Sequence, residues 1–346
     1  MKYRRVTILS VAAAFIVAAG SLFAAGSQEG MAPGKVEIKK LVLHFQPNDV
    51  FAPHSVAMEK GWFKEAGFEE VEYKSFTAGA LAGEALLAGE IHVWNPGNLP
   101  VISMRHNGVP VVVAGVLTVC PGEFLFVRND AGVSRPEDLY KVRIGLLDGS
   151  TQTAVINNLA EHYGLDKSRL TIVNLSPPDQ VTALTNNEIQ ASPLFPPFPY
   201  FPEVRKIATY MFDSLKFSHT NVPIVFTEEF LRKNPNAARE IVRVLVRGQE
   251  YCDNPANKAE VMKIHQKYTE QKMDIIEMGW EPYWTHPELP NGPIDQRYLT
   301  DMQNYTDFLY EQGRIKEKID PLDYTYTGFL KEIKPEYVKI EGRWKP

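Results

Sequence analysis

Cysteine is scarce. The chain of 346 residues carries two, Cys120 and Cys252. That excludes a small scaffold held by disulfides, and without a close pair of histidines it leaves no metal-ligand spacing. The two cysteines lie far apart in sequence, so they are read as buried thiols, with a single bridge as the alternative. Positive charge is also short: 37 Lys and Arg stand against 42 Asp and Glu, a formal net charge of -5. A mildly acidic chain has no electrostatic footprint for nucleic acid. Long apolar runs are absent beyond the N-terminal segment, and nothing else approaches the ~20 residues of a membrane span. No phosphate loop and no nucleophile–base pair at a known motif spacing is present, nor is any internal repeat or low-complexity tract. What remains is ordinary globular composition, 44% hydrophobic and 23% charged, long enough for two domains with their own cores.

Residues 1–26 stand apart. Lys2, Arg4 and Arg5 precede an apolar run from Val6 to Ala19, and Ala24, Ala25 and Gly26 follow. This is the pattern of a secretory signal peptide cleaved near Ala25 or Gly26, which implies a periplasmic or secreted protein. The segment holds no cysteine for lipid attachment. Its loss removes three positive charges and no negative one, moving the formal charge from -5 to -8. Residues 27–36 read as a polar linker.

The organising stretch runs from Leu41 to Ile102. An apolar run, Leu41-Val42-Leu43, turns polar at His44-Phe45-Gln46-Pro47-Asn48. An amphipathic piece, Ser55 to Ala66, stops at Gly67. A second strand, Val71 to Phe76, precedes a small-residue helix from Ala78 to Ala88 that Thr77 can cap. Ile91 to Trp94 then runs into Asn95-Pro96-Gly97-Asn98. Strand, helix, strand, helix, strand is the pattern of an open α/β sheet, whose ligands bind beyond the carboxyl ends of the strands. Val109 to Val116 is a buried strand, and the texture changes after Leu117, where the chain crosses into a second lobe.

The second lobe repeats the logic. Strands are predicted at Phe124–Val127, Val142–Leu146 and Leu170–Leu175, with a helix from Thr151 to Tyr163 that Gly164 ends. Extended structure from Glu188 to Leu194 enters Phe195-Pro196-Pro197-Phe198-Pro199-Tyr200. The chain crosses back between Phe212 and Pro223, Ile224–Phe226 is a strand, and helices follow at Glu228–Lys233, Ala237–Tyr251, Ala256–Tyr268 and Gln296–Tyr310. Asn234-Pro235 and Asn254-Pro255 separate them, because the residue before proline resists the α region. The expected organisation is a discontinuous first lobe, residues 36–118 and 223–330, a second lobe, residues 119–222, and a loose charged tail, residues 331–346.

From roughly Val36 to Phe329 the sequence resembles the solute-binding proteins of bacterial ABC importers in the nitrate, sulfonate and taurine group, related to the thiamine-precursor (NMT1/THI5-like) binding proteins. The resemblance is carried by Phe45-Gln46-Pro47-Asn48 with His54, by Ala57 to Gly67, by Leu86 to Val93, by Gly149-Ser150 before the Thr151 helix, and by Ile319-Asp320-Pro321-Leu322. Pro47-Asn48 with His54 leans toward the thiamine-precursor branch, and Asn95 to Pro100 toward the sulfonate branch. The resemblance implies an α/β fold of two lobes, the type II periplasmic binding fold, with two crossovers and a ligand cleft between the lobes. It implies capture of a small solute by lobe closure and delivery to a permease and an ATPase, with no cofactor and no catalysis. A monomer is expected.

The cleft is expected to be lined by His44, Gln46 and Asn48, by Thr77, Ala78 and Gly79, and by Trp94, Asn95 and Asn98 from the first lobe. Thr118 joins from the crossover, and Gly149, Ser150, Thr151, Gln152, Phe195 and Phe198 from the second lobe. Thr77 to Gly79 and Gly149 to Thr151 each open a helix, where free N–H groups and small residues suit a polar ligand. Capping explains Thr77 and Ser150 equally well. Trp94 leaves a strand into a Pro-Gly loop, with core packing as its alternative. His54 reads as a hydrogen-bonded core histidine more readily than as a ligand contact. Phe195 to Phe201 reads as an aromatic wall stiffened by prolines, or as a rigid surface elbow. No Lys or Arg sits in these loops, which points to an organic solute, a sulfonate or an aromatic or heterocyclic ring. The rivals are a pyrimidine-forming enzyme of the THI5-like kind and a binding module that feeds a sensor.

Overall fold

The computed structural model describes residues 35–120, 124–213, 219–284 and 290–346. The signal-peptide segment lies outside them. Among the described residues, nine strands form two sheet systems: β1 (Lys40–Phe45), β2 (Glu70–Ser75), β3 (Val111–Cys120), β4 (Phe124–Arg128), β5 (Arg143–Leu146), β6 (Thr171–Asn174), β7 (Ala191–Leu194), β8 (Ala208–Asp213) and β9 (Thr220–Thr227). In the first system β1 pairs in parallel with β2, and β3 pairs antiparallel with β9. Single bridges from Val93 to Leu43 and from Trp94 to Val225 join the two pairs into one layer. Its order is β2, β1, the short strand at Val93–Trp94, β9, β3. The second system has the order β6-β5-β7-β4-β8, with β4 antiparallel to both neighbours. With the parallel strands of each layer numbered in chain order, the two layers share one topology: second, first, third, the antiparallel strand by which the chain enters from a crossover, then the fourth. This is the two-lobed α/β fold of periplasmic binding proteins.

Composition explains the placement. β3 is buried at all ten residues, and its run of Val, Ala and Gly has no polar side chain but Thr118. β2 reads Glu-Val-Glu-Tyr-Lys-Ser and is largely exposed. Charges on an edge strand block pairing with another chain, and Lys40 reaches Glu72 across the β1–β2 pair at 2.8 Å. One large core gathers residues from Val36 to Cys120 and from Val222 to Trp344. Two smaller clusters lie among residues 125–208.

Several elements differ from the sequence reading. The crossovers are longer: β3 runs on to Cys120 and β9 begins at Thr220, because pairing with each other satisfies backbone groups that the apolar pattern alone does not locate. Thr77 caps nothing. Ala78 precedes a 3-10 turn, Gly79–Ala82, and a short helix, Gly83–Leu87. A helix at Met273–Trp284 and strand β8 were not expected. No disulfide joins the two buried cysteines. The tail is not loose: Trp344 is 7% exposed, its backbone N–H donates to Thr325 O at 3.2 Å, and Arg343 pairs with Asp320 and Asp323. Trp344→Ala is expected to lower stability by about 3 kcal/mol, the cost of truncating a buried Trp. Urea titration measures it, and a loss under half of that would return the tail to the surface.

Candidate functional site

A cavity of about 70 Å³ lies where the carboxyl ends of the strands from both sheets meet. Gln46, Asn48, Val50 and Phe51 reach it from the segment after β1, and Gly79 from the loop after β2. Asn95, Pro96 and Gly97 follow the Val93–Trp94 strand. Thr151 comes from the loop after β5 and Phe195 from the loop after β7, while Cys120, Thr220 and Val222 belong to the crossovers. No Lys, Arg, Asp or Glu is among these lining residues. The polar character comes from carboxamides, hydroxyls and backbone.

Asn95 fixes one wall. Its Nδ2 donates to Pro223 O at 3.0 Å. Its Oδ1 stands 3.0 Å from His54 Nε2, so this histidine nitrogen carries the hydrogen. The Asn95 backbone N–H donates to His44 Nδ1 at 3.1 Å. Burial pushes both imidazoles down, His44 well below the usual histidine range and His54 to about 3, so both rings are neutral. Gln46 and Asn48 are held more loosely, at 3.4 Å from His44 and from each other respectively.

The structure places the sixteen expected residues in two groups. Gln46, Asn48, Gly79, Asn95, Thr151 and Phe195 line the cavity together. The others stand behind it or beside it. His44 lies under the wall as the acceptor for Asn95. Trp94 is wholly buried, and its Nε1 donates to Gly79 O at 2.8 Å. A Trp at this position fills core volume and props the Gly79 loop. Ala78 is buried beside that loop, and Thr77 is half-buried without lining the cavity. Asn98 Nδ2 donates to His219 O at 3.1 Å, tying the Asn98–His106 helix to the second crossover. Thr118 is buried within β3 and its hydroxyl has no protein partner. Ser150 is a cap: its Oγ accepts from Gln152 N at 3.2 Å. Gly149 has φ +75° in open space outside the cavity. Gln152 is buried among Leu147, Gln180 and Pro193. Phe198 backs Phe195 edge-on, with ring centroids 5.5 Å apart.

Val50, Phe51, Pro96, Gly97, Cys120, Thr220 and Val222 were not singled out as site residues by the sequence. The last three became visible only with the full length of the crossover strands. Also unexpected is a buried row of Ser55, His265 and Asp49. Ser55 Oγ is 2.9 Å from His265 Nδ1, and His265 Nε2 is 3.8 Å from Asp49 Oδ1. All three side chains are at most 1% exposed, so the row has no surface on which to meet a substrate. Burial pushes the Asp49 carboxyl well above, and His265 down to about 3.

The NMT1/THI5-like family pattern matches residues 48–259, more than half of the chain. The chain belongs to the NMT1/THI5-like family. It is 24% identical over 283 residues to the taurine-binding periplasmic protein of Escherichia coli K12, covering 76% of this chain and 84% of that protein. The alkanesulfonate-binding protein SsuA from Xanthomonas axonopodis pv. citri, solved with MOPS bound, superposes with a TM-score of 0.72 at 15% identity, covering 84% of this chain and 99% of that one. The desulfurization enzyme DSZB also shares the fold, with a TM-score of 0.64 at 14% identity over 86% and 99% of the two chains. The same fold thus occurs in a sulfonate-binding protein and in an enzyme.

The buried histidines set the acid behaviour. His54 has a folded pKa near 3 against 6.5 in the open chain, so between those values the unfolded state binds more protons and stability falls as pH drops. The raised Asp49 carboxyl acts in the opposite sense, its contribution being present at low pH and lost as pH rises through its folded value. The difference between the wild type and His54→Gln isolates the histidine. The variant is expected to lose less stability than the wild type as pH falls from 6.5 toward 3. Urea midpoints across that range measure it; parallel acid limbs would refute a neutral buried His54.

Proposed function

We propose that this chain is the extracytoplasmic solute-binding component of an ABC uptake transporter, exported by the segment 1–26, acting as a monomer and delivering its solute to a permease and an ATPase. The observation that carries this reading is the cavity itself, built from strand-end loops of both lobes and both crossovers. Such a site is completed by bringing the lobes together and emptied by parting them. The taurine- and alkanesulfonate-binding relatives support the same reading.

Polarity narrows the solute. The lining offers carboxamides, hydroxyls and backbone beside a single aromatic pair, Phe51 and Phe195. This favours a small sulfonate of the taurine kind over the heterocyclic alternative. Catalysis is not favoured, because no histidine, lysine or carboxylate joins Cys120 and the hydroxyls among the lining residues.

Closure has a steric test. A Cβ on Gly97 would lie 2.6 Å from Thr151 Cγ2 and 3.1 Å from Thr220 Cγ2. Gly97 belongs to the first lobe and Thr151 to the second. Gly97→Ala is therefore expected to hold the lobes apart and weaken binding by about tenfold or more, with the ligand-free midpoint little changed. A thermal-shift screen against methanesulfonate, taurine, nitrate, pyrimidines and aromatic carboxylates, followed by calorimetry on the best binder, measures both. A raised midpoint for one compound supports the proposal. Turnover of a bound compound would overturn it in favour of an enzyme, and equal affinity in Gly97→Ala would overturn the closure geometry.

A further inference from the structure

The second lobe carries a larger cavity that the site above does not use. It encloses about 430 Å³, within the range of small-molecule sites, and shares no lining residue with the cleft cavity. Its floor is apolar. β5 and β6 run in parallel with Ile144 opposite Ile172 and Leu146 opposite Asn174, so Leu146, Ile172 and Asn174 point to one side of the sheet. Ile156 of the Thr151–His162 helix and Leu170 complete the floor.

The edge strand is unusual. β6 is the outer strand of its sheet, as β2 is of the other. β2 reads Glu-Val-Glu-Tyr-Lys-Ser, and its charges block pairing with another chain, whereas β6 reads Thr-Ile-Val-Asn and has no charge. Leu146 and Ile156 are buried, but Ile172 is 43% exposed and lines the cavity.

The rim is charged, with a sign opposite to that of the whole chain. Lys167 and Arg314 stand among the lining residues with one carboxylate, Asp148, in a chain of formal charge -5. Asp148 is already engaged, because Arg314 Nη2 donates to its Oδ1 at 2.8 Å. That bond uses one of five guanidinium N–H groups, so Arg314 can hold Asp148 and a further acceptor together. Lys167 Nζ donates to Glu161 Oε1 at 3.1 Å, one of three N–H groups. Arg314 follows the Gln296–Glu311 helix, and Ile315 beside it packs in the first lobe's core. The cavity therefore has walls from both lobes.

We propose that this cavity is a second ligand site, separate from the cleft, for an amphiphilic organic anion. An aliphatic tail lies on the floor of Leu146, Ile156, Leu170 and Ile172, and a carboxylate or sulfonate head meets Lys167 and Arg314. Burial of the tail favours such a ligand over a bare inorganic anion, and the two cations repel a positive head. The assignment does not use the reading of the cleft.

Octanoate is the probe, with acetate as the head alone and octyltrimethylammonium as the same tail with the opposite charge. Calorimetry is expected to show saturable octanoate binding, with both controls weaker by about tenfold or more. Acetate binding as tightly as octanoate would overturn the apolar floor, and octyltrimethylammonium doing so would overturn the anionic head. No saturable octanoate binding would overturn the site. Two positions outside the cleft locate it. Ile172→Asp puts a charge on the floor and is expected to lower octanoate affinity about tenfold. Lys167→Ala removes a partner of the head and is expected to lower it about threefold. Both variants should keep the unfolding midpoint and the response to methanesulfonate of the wild type. Unchanged octanoate affinity in both would place octanoate elsewhere and overturn the second site.

Discussion

The antiparallel pairing of β3 with β9 is the constraint on which the rest of the structure depends. These strands are the two passages between lobes, and their register runs from Val111 opposite Thr227 to Cys120 opposite Thr220. Two crossovers bonded along their length behave as one ribbon. They bring the carboxyl ends of two separate sheets to face each other across the cavity. Register shifts at Ala114 and Leu117 bend it near the cavity. Cys120, Thr220 and Val222 line the cavity from the ribbon itself, so the link between the two sheets is also part of the cavity wall.

Given that frame, the site is made by anchoring rather than by charge. Asn95 joins three elements through one residue: the Ala52–Glu59 helix through His54, β1 through His44, and β9 through Pro223. Each bond is satisfied within the protein, so Asn95 holds the wall in place. Asn48 and Gln46, by contrast, have long contacts and spare capacity. A buried polar group with a missing partner is costly unless something supplies it. Beside the cavity there is room for such a partner to enter. The Ser55–His265–Asp49 row shows the other outcome, polar groups enclosed in the core with no route to solvent.

Much of this was legible in the sequence, and the failures have physical causes. The order of strands and helices from Leu41 to Ile102 followed from apolar periodicity and from Gly and Pro punctuation. Gln46, Asn48, Asn95 and Phe195 were reached by one rule, that loops after parallel strands face the ligand. That rule names a loop and not the side chain within it that turns inward. Trp94, Asn98 and Gln152 sit in the right loops and point into the protein, where a Trp ring fills volume and amides tie loops together. Cys120 and Thr220 were out of reach because strand length in the crossovers is set by pairing between residues roughly a hundred positions apart in the chain. The tail misled for a related reason. Its charges suggest solvation, yet Arg343 pairs with Asp320 and Asp323, and Trp344 closes the core beside Tyr326.

The same separation between loop and side chain explains how one fold serves unlike chemistries. The shared topology of the two sheets fixes where a cavity must be, since both layers end their parallel strands at the ribbon. It does not fix what lines it. Here the second lobe supplies only Thr151 and Phe195 to the lining, while the first lobe and the crossovers supply the other eleven residues. Most of the lining therefore comes from the first lobe and the crossovers. Thr151 opens a helix of 12 residues whose cap, Ser150, already satisfies Gln152 N. It packs against Gly97, where an added Cβ would lie 2.6 Å from Thr151 Cγ2 and 3.1 Å from Thr220 Cγ2. Gly97 and Asn48 lie in different loops of the lining, so either can change in sequence without disturbing the ribbon that aligns them.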